Sequence, residues 1–357
     1  MAGVEVPSAK EVIAERIKNG SQPGFREDPY LVSLILQGGA MGGIYAAGAG
    51  LYLMSTFGET FPLDLSHTTS GGTASDSYLK SGNGADGTSI YYDELSRGFI
   101  GWSNILKRRR FIDLSLMINA MRSGPKQLDF NRLLAHPAES NFFATSVEDA
   151  RIINFKIGQT ALESTTELEF DGEMYICYCQ TPEDILAAIE ASCHLPFYAG
   201  PPVRIKNELL AVDGGVSRAA RIPLNMAIND GCSHILIFAS EKKYDEHEYR
   251  ISLEEKVAAL AIRQKYPALA EHYWEGHNAH QDTLSLLREI EDGEIHHPKV
   301  DIIWADDQFV PKQRETNPRN LYLAAVAGRQ AAAKAFEEFN LIEDPAIKLR
   351  PPKTVAI

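Results

Sequence analysis

Short apolar runs alternate along this chain with longer stretches whose apolar positions recur at helical spacing. Residues 31–36 predict a buried strand, and residues 44–56, apolar nearly all round, predict a helix enclosed by the core. The pairing then repeats, with a short strand over 63–68 and a helix over 73–79. Further strands are expected over 142–145, 151–157, 175–179, 209–212, 235–239 and 300–304. Residues 90–134 read as largely helical, 253–291 as mostly helical with an interruption near Pro267, and 321–339 as an alanine-rich helix. Thr181-Pro182-Glu183-Asp184 is built to start a helix: a hydroxyl to cap, a proline for the first turn and acids to complement the dipole. Strands followed by helices in this way predict an α/β protein with a mainly parallel central sheet flanked by helices.

The ends of the chain read differently. Residues 10–18 predict one short helix with Val12, Ile13 and Ile17 on a face, closed by the turn residues at 20–24. The stretch from Pro345 onward holds three prolines and predicts an extended tail. No glycine-serine or proline-rich linker, repeat or low-complexity tract interrupts the body. The expected organisation is an N-terminal extension (1–29), one main domain (30–340) and a C-terminal tail (341–357). A length of 357 residues with 44% hydrophobic content is ample for one large core.

Charge and cysteine usage narrow the setting. A net charge of −13 argues against general nucleic-acid binding and against strong electrostatic attachment to anionic membranes. Cys177, Cys179, Cys193 and Cys232 lie in apolar segments and not at zinc spacings, so buried free thiols are expected, as in a reducing compartment. The first residues lack the basic and apolar regions of a signal peptide, and no uncharged apolar run is long enough to span a bilayer. The expectation is a cytoplasmic protein, with transient contact at a membrane surface compatible with it.

Three turns carry the candidate chemistry. Thr69-Ser70-Gly71-Gly72 stands between a strand and a helix, the setting of a nucleophile elbow, where a serine hydroxyl is exposed at a helix N-terminus. Gln37-Gly38-Gly39-Ala40-Met41-Gly42-Gly43 follows the first strand. Such a turn offers backbone N–H groups to an anion, a phosphate or the oxyanion of a tetrahedral intermediate. It matches neither the G-x-G-x-x-G dinucleotide fingerprint nor a P-loop. Asp213-Gly214-Gly215 ends another apolar run and supplies a candidate base for Ser70. Each turn also has a plainer role: Ser70 as a helix N-cap, Asp213 as a turn-forming Asp-Gly, and Gly38-Gly39 for close helix–strand packing.

In their order and spacing these turns resemble the patatin-like phospholipase family, particularly its bacterial members, whose pattern is G-G-G-x-R-G, then G-x-S-x-G, then much later D-G-G or D-G-A. The segment from Ala187 to Pro202 and the stretch from Ile222 to Gly231 also look like that family, so the likeness spans roughly residues 30–335. The resemblance implies a three-layer α/β sandwich and a serine acyl hydrolase acting on lipid esters, of phospholipase A or lysophospholipase type. It implies a Ser70–Asp213 dyad, an oxyanion hole at Gly38, Gly39 and Ala40, and no catalytic histidine; no cofactor is expected, and with no EF-hand loop in the sequence no metal either. Three positions depart from the pattern: Thr68 replaces the first elbow glycine, Ala40 the third loop glycine, and Gly42 the loop arginine. Ala40 would be strained if its position requires positive φ.

Alternatives remain at this stage. The same acyl-serine could serve an acyltransferase, and the three departures suit a catalytically weakened acyl-binding protein. A histidine triad would draw on His234, His272, His277, His280, His296 or His297, none in a persuasive strand-end loop; His194, beside Leu195-Pro196, reads as structural. His272, His277 and His280 lack the H-E-x-x-H arrangement and read as surface histidines on a helix. Phe99, Ile100, Trp102, Ile105 and Leu106 precede the basic run from Lys107 to Arg110. They read first as a core-facing stripe beside solvated cations, and second as a seat at a lipid interface. Arg218 and Arg221, just after the aspartate turn, are candidates to meet an anionic head group or to acidify Asp213.

Overall fold

The computed structural model describes residues 6–58, 60–101, 104–105, 110–243, 253–273, 275–306, 309–310 and 312–352. Ten strands form one sheet among them. In chain order they are β1 (Val32–Leu36), β2 (Leu65–Thr69), β3 (Glu139–Ser146), β4 (Ile152–Ile157), β5 (Leu168–Phe170), β6 (Tyr175–Tyr178), β7 (Val203–Arg204), β8 (Leu210–Asp213), β9 (His234–Phe238) and β10 (Lys299–Ile303). The order across the sheet is β10-β9-β1-β2-β3-β4-β6-β5, and β8 pairs β3 and β7 off that path. From β10 to β3 every pairing is parallel. The antiparallel pairs, β3 with β4 and β8, β7 with β8 and β5 with β6, gather on the other half.

Alternation along the central strands sets the layers. Leu34, Leu36, Leu236 and Phe238 face one apolar cluster, shared with Leu53 and Phe336. Ile35, Ile235 and Ile237 face another, shared with Leu224 and Leu287. Strands with apolar side chains on both faces need helices on both sides, and the chain supplies them. On the first face lie α1 (Ala9–Lys18) and α2 (Ile44–Thr56). Next in sequence come α3 (Gly71–Lys80), α4 (Gly84–Ile90), α5 (Leu114–Arg122) and α6 (Pro182–Ser192). The second face receives α7 (Leu224–Asn229); α8 (Leu253–Lys265), α9 (Pro267–His272) and α10 (Glu275–Glu291) follow it. Finally α11 (Pro318–Ala335) returns against α2. There a Cβ on Gly48 would meet the Ala325 carbonyl oxygen at 2.1 Å, and one on Gly328 the Tyr45 carbonyl oxygen at 2.0 Å, so only glycine permits that crossing.

Several local signals work as the sequence implies. Thr181 and Asp184 form a reciprocal capping box at the start of α6, with Pro182 at the first position. Ser8 and Glu11 do the same for α1. The buried Arg16 of α1 binds Asp28, Asp64 and the carbonyl oxygens of Pro62 and Tyr30 over 2.6–2.9 Å, which ties the first helix to the entry of β2. A buried guanidinium is tolerated because its donors all find acceptors.

The stretch 90–134 departs from its helical expectation. A π-helical turn follows α4 over Tyr91–Leu95, Ile100 and Ile112 form an antiparallel bridge, and α5 begins at Leu114. Gly98 and Gly101 at φ 85° and 158° break the helix, and the apolar spacing there belongs to a cavity wall. Trp102, Leu106 and Lys107 to Arg109, which carried the interfacial reading, lie outside the described residues. The alanine-rich helix starts three residues earlier than expected, because Asn317 caps it and Pro318 opens it. The edge strands β5 and β7 were not anticipated; at three and two residues they are too short to register an alternating pattern.

Candidate active site

Register along β3 brings two distant parts of the chain together. β4 covers one side of β3 from Ser140 to Thr145. On the other side β2 pairs in parallel up to Thr69 opposite Phe143, and β8 enters antiparallel and ends at Asp213 opposite Ala144. The two strand ends therefore meet at consecutive residues of β3. The residue after Thr69 is Ser70, whose side chain favours the ionised form of the Asp213 carboxylate.

Ser70 has φ 56° and ψ −135°, a sparsely populated conformation for a residue with a Cβ, at a strain of about 1–3 kcal/mol. Its side chain makes no capping bond to α3, so the plainer N-cap role is not what occupies the hydroxyl. The Ser70 carbonyl accepts the Thr73 N–H at 2.9 Å and the Thr73 hydroxyl at 2.7 Å. Asp213 leads into a tight helical turn and not a hairpin, and its Oδ1 accepts the Gly215 N–H at 2.8 Å. Its own N–H donates to the His194 carbonyl at 3.0 Å. Burial pushes the Asp213 carboxyl up to about 6, against the opposing pull of the Gly215 N–H, the Ser70 hydroxyl and the Arg221 guanidinium. A carboxylate held there is a far better base near neutral pH than one at the usual value of about 3.9.

The glycine loop lies against the elbow. A Cβ on Gly38 would stand 2.5 Å from the Thr69 carbonyl oxygen, and one on Gly72 would stand 2.1 Å from that of Leu36. These contacts fulfil the packing role of the glycines and bring the loop backbone beside Ser70. The N–H groups of Gly38, Gly39 and Ala40 find no acceptor among the described residues, whereas the next two donate to the carbonyls of Gln313 and Gly39. Ala40 does sit at positive φ, 49°, a strain of about 1–2 kcal/mol. The Gly71 N–H, near Gly38 at the first position of α3, is a further donor that the sequence reading passed over.

Ser70, Asp213 and residues 38–40 border one cavity of about 220 Å³, larger than the roughly 150 Å³ that holds a benzene ring. Its apolar lining includes Ala74, Ile90, Leu95, Phe99, Leu114 and Met117. Its polar lining includes Arg221, His277, His280, Gln313 and Arg314. Of the two arginines after the aspartate turn, Arg221 borders the cavity and Arg218 does not.

The histidines need correction. His277 and His280 were expected on the surface of a helix; both line the cavity, and His280 is buried with Nε2 3.2 Å from Glu241 Oε2. They are drawn inward because α10 packs tightly on the aspartate turn: a Cβ on Gly276 would meet the Gly215 carbonyl oxygen at 2.4 Å. His194 stays outside the cavity lining, with Nε2 3.3 Å from the Gly200 carbonyl, and burial lowers its ring to about 4. All four cysteines are free and buried, and Cys193 borders the cavity with its thiol pushed up by burial. Among the described residues no group of three His, Cys, Asp or Glu side chains is arranged to hold a metal ion, and no helix is long and apolar enough to cross a membrane.

A layered α/β sheet with its glycine loop, elbow and aspartate turn all at strand ends is the frame of an α/β hydrolytic fold. Those three turns fall inside residues 34–228, and that stretch matches the family model described as Patatin-like phospholipase. The match covers more than half of the chain, and the chain belongs to the patatin-like phospholipase family, whose members are lipid acyl hydrolases. No curated protein matches it.

Proposed function

We propose that this chain is a serine hydrolase of lipid acyl esters, of phospholipase A or lysophospholipase type, working through a Ser70–Asp213 dyad. The observation that carries the reading is the meeting of Ser70 and a buried Asp213 at consecutive positions of β3, both bordering one cavity.

Asp213 takes the proton of the Ser70 hydroxyl as Oγ attacks the acyl carbonyl. The N–H groups of Gly38, Gly39 and Ala40, joined by that of Gly71, receive the oxyanion, each donor supplying about 3 kcal/mol to the transition state. As the tetrahedral intermediate collapses, the leaving alcohol takes the proton from Asp213. In the second half a water gives its proton to Asp213 and attacks the acyl-serine, and Ser70 leaves with that proton. The acyl chain occupies the apolar lining, and Arg221 lies near the polar part of the substrate. The mechanism calls on no cofactor.

A serine-directed fluorophosphonate tests the reading. Wild-type protein is expected to carry one adduct at Ser70, and to hydrolyse p-nitrophenyl esters and phospholipids, with Ser70→Ala as the blank. An unlabelled protein inert across ester chain lengths would instead be the acyl-binding form of the fold.

A further inference from the structure

The strained elbow is held by a residue outside the dyad. Ser192, the last residue of α6, is fully buried. Its Oγ accepts the Ser70 N–H at 2.9 Å and donates to the Phe143 carbonyl at 2.6 Å. Phe143 is the β3 residue opposite Thr69, where the parallel ladder stops because the chain turns away at Ser70. The Ser192 hydroxyl thus fills the gap left at the ladder's end. Its one proton goes to Phe143, so a lone pair must face Ser70. Two residues on, the His194 carbonyl accepts the Asp213 N–H at 3.0 Å.

We propose that Ser192 is a positioning residue for the nucleophile, and that the end of α6 clamps both halves of the dyad in register. The inference rests on the Ser70–Asp213 reading above. The Ser70 backbone stays at φ 56° only if its N–H is held, and the direction of Oγ toward Asp213 follows from that backbone. A hydroxyl suits the place because the position needs an acceptor for one buried backbone group and a donor for another. Alanine would leave both unpaired, and the elbow could relax and turn Oγ away. Because the Ser70 N–H is engaged, oxyanion stabilisation must come from the donors of the glycine loop and Gly71.

The test compares Ser192→Ala, Ser192→Thr and Ser192→Cys with wild type in full-length protein. Ser192→Ala is expected to lower kcat and the rate of fluorophosphonate labelling by about 100-fold, the scale of a misplacement near 1 Å, with KM unchanged. Ser192→Thr, which keeps the hydroxyl, is expected to restore most of the rate. The acid limb of the pH profile should move upward in Ser192→Ala, because a misdirected Ser70 hydroxyl no longer favours the ionised carboxylate. Ser192→Cys keeps a similar volume but is a weak acceptor, and it serves if the alanine variant fails to fold; it should show the same kcat loss. A folded alanine or cysteine variant that labels at the wild-type rate overturns the proposal, as does a loss accounted for wholly by a smaller titratable fraction. If wild type itself is not labelled at Ser70, the dyad reading fails instead, so the two outcomes are separable.

Discussion

Two constellations in this molecule join a serine to a distant aspartate, and they differ in nearly everything that matters. Ser70 and Asp213 meet at strand ends and border the cavity. Inside the sheet, Ser33 of β1 lies 2.8 Å from His67 Nδ1, and His67 Nε2 lies 2.8 Å from Asp230. The second set has the residue types and the order of a Ser-His-Asp triad. Yet Ser33 and His67 are fully buried, and none of the three borders the cavity. The acids differ in kind as well. Burial drives Asp213 up to about 6. Burial also pushes Asp230 upward, but its hydrogen bond with His67 and the electrostatic pull of His67 and Lys156 together outweigh that and leave it below the usual carboxylate range. Asp213 holds a proton readily and Asp230 serves as a settled partner. What makes a catalytic candidate is access, free N–H donors and an unsatisfied base, not the presence of three residue types.

The largest contrast is expected at the serines. Ser70→Ala should lower kcat by about four orders of magnitude, measured with a p-nitrophenyl ester. Ser33→Ala should leave the rate near wild type and cost about 1–3 kcal/mol in a denaturant melt, because His67 Nδ1 loses its buried partner. If Ser33→Ala abolished turnover, the comparison would be reversed.

The aspartates should separate next, and in opposite senses. Asp213→Asn should lower the rate about 10⁴-fold while stabilising the fold at pH 7 by about 3 kcal/mol, since an ionised buried carboxylate is removed. Asp230→Asn should retain activity and lose about 1 kcal/mol of stability.

Proton linkage sharpens the same pair. The folded value of Asp213 lies above its unfolded value, so its contribution to stability is complete below about pH 4 and is lost as pH rises through about 6. The advantage of Asp213→Asn in thermal melts should therefore fade as pH is lowered toward 4. Asp230 runs the other way, contributing stability above the ordinary carboxylate range and losing it on acidification. Activity should follow the base form of Asp213, with kcat/KM falling about tenfold per pH unit below 6. The smallest effect is expected from Arg221→Gln: with that positive charge gone, the midpoint of the acid limb should move upward.

Much of this is legible in the sequence. The strand over 31–36 and the helix over 44–56 were readable because their apolar pattern is local and continuous, and the Thr181 cap because its chemistry sits in four adjacent residues. His67 carries no local signal of its role, and His277 and His280 read as surface residues although they line the cavity. Nothing near them in sequence says that α10 presses on the aspartate turn. Ser192 was equally silent, since its partner at the elbow is 122 residues away.

The sequence by itself determined most of the elements, the three small-residue turns and the family, because backbone conformation over a few residues is governed largely by those residues' own sterics and hydrogen bonding. Only the tertiary structure decided that β2 and β8 end at neighbouring residues of β3, that the Asp213 carboxyl is stripped of water, and that a hydroxyl from α6 reaches the elbow. Strand register and desolvation are sums over contacts from the whole chain, and no short stretch of residues contains them.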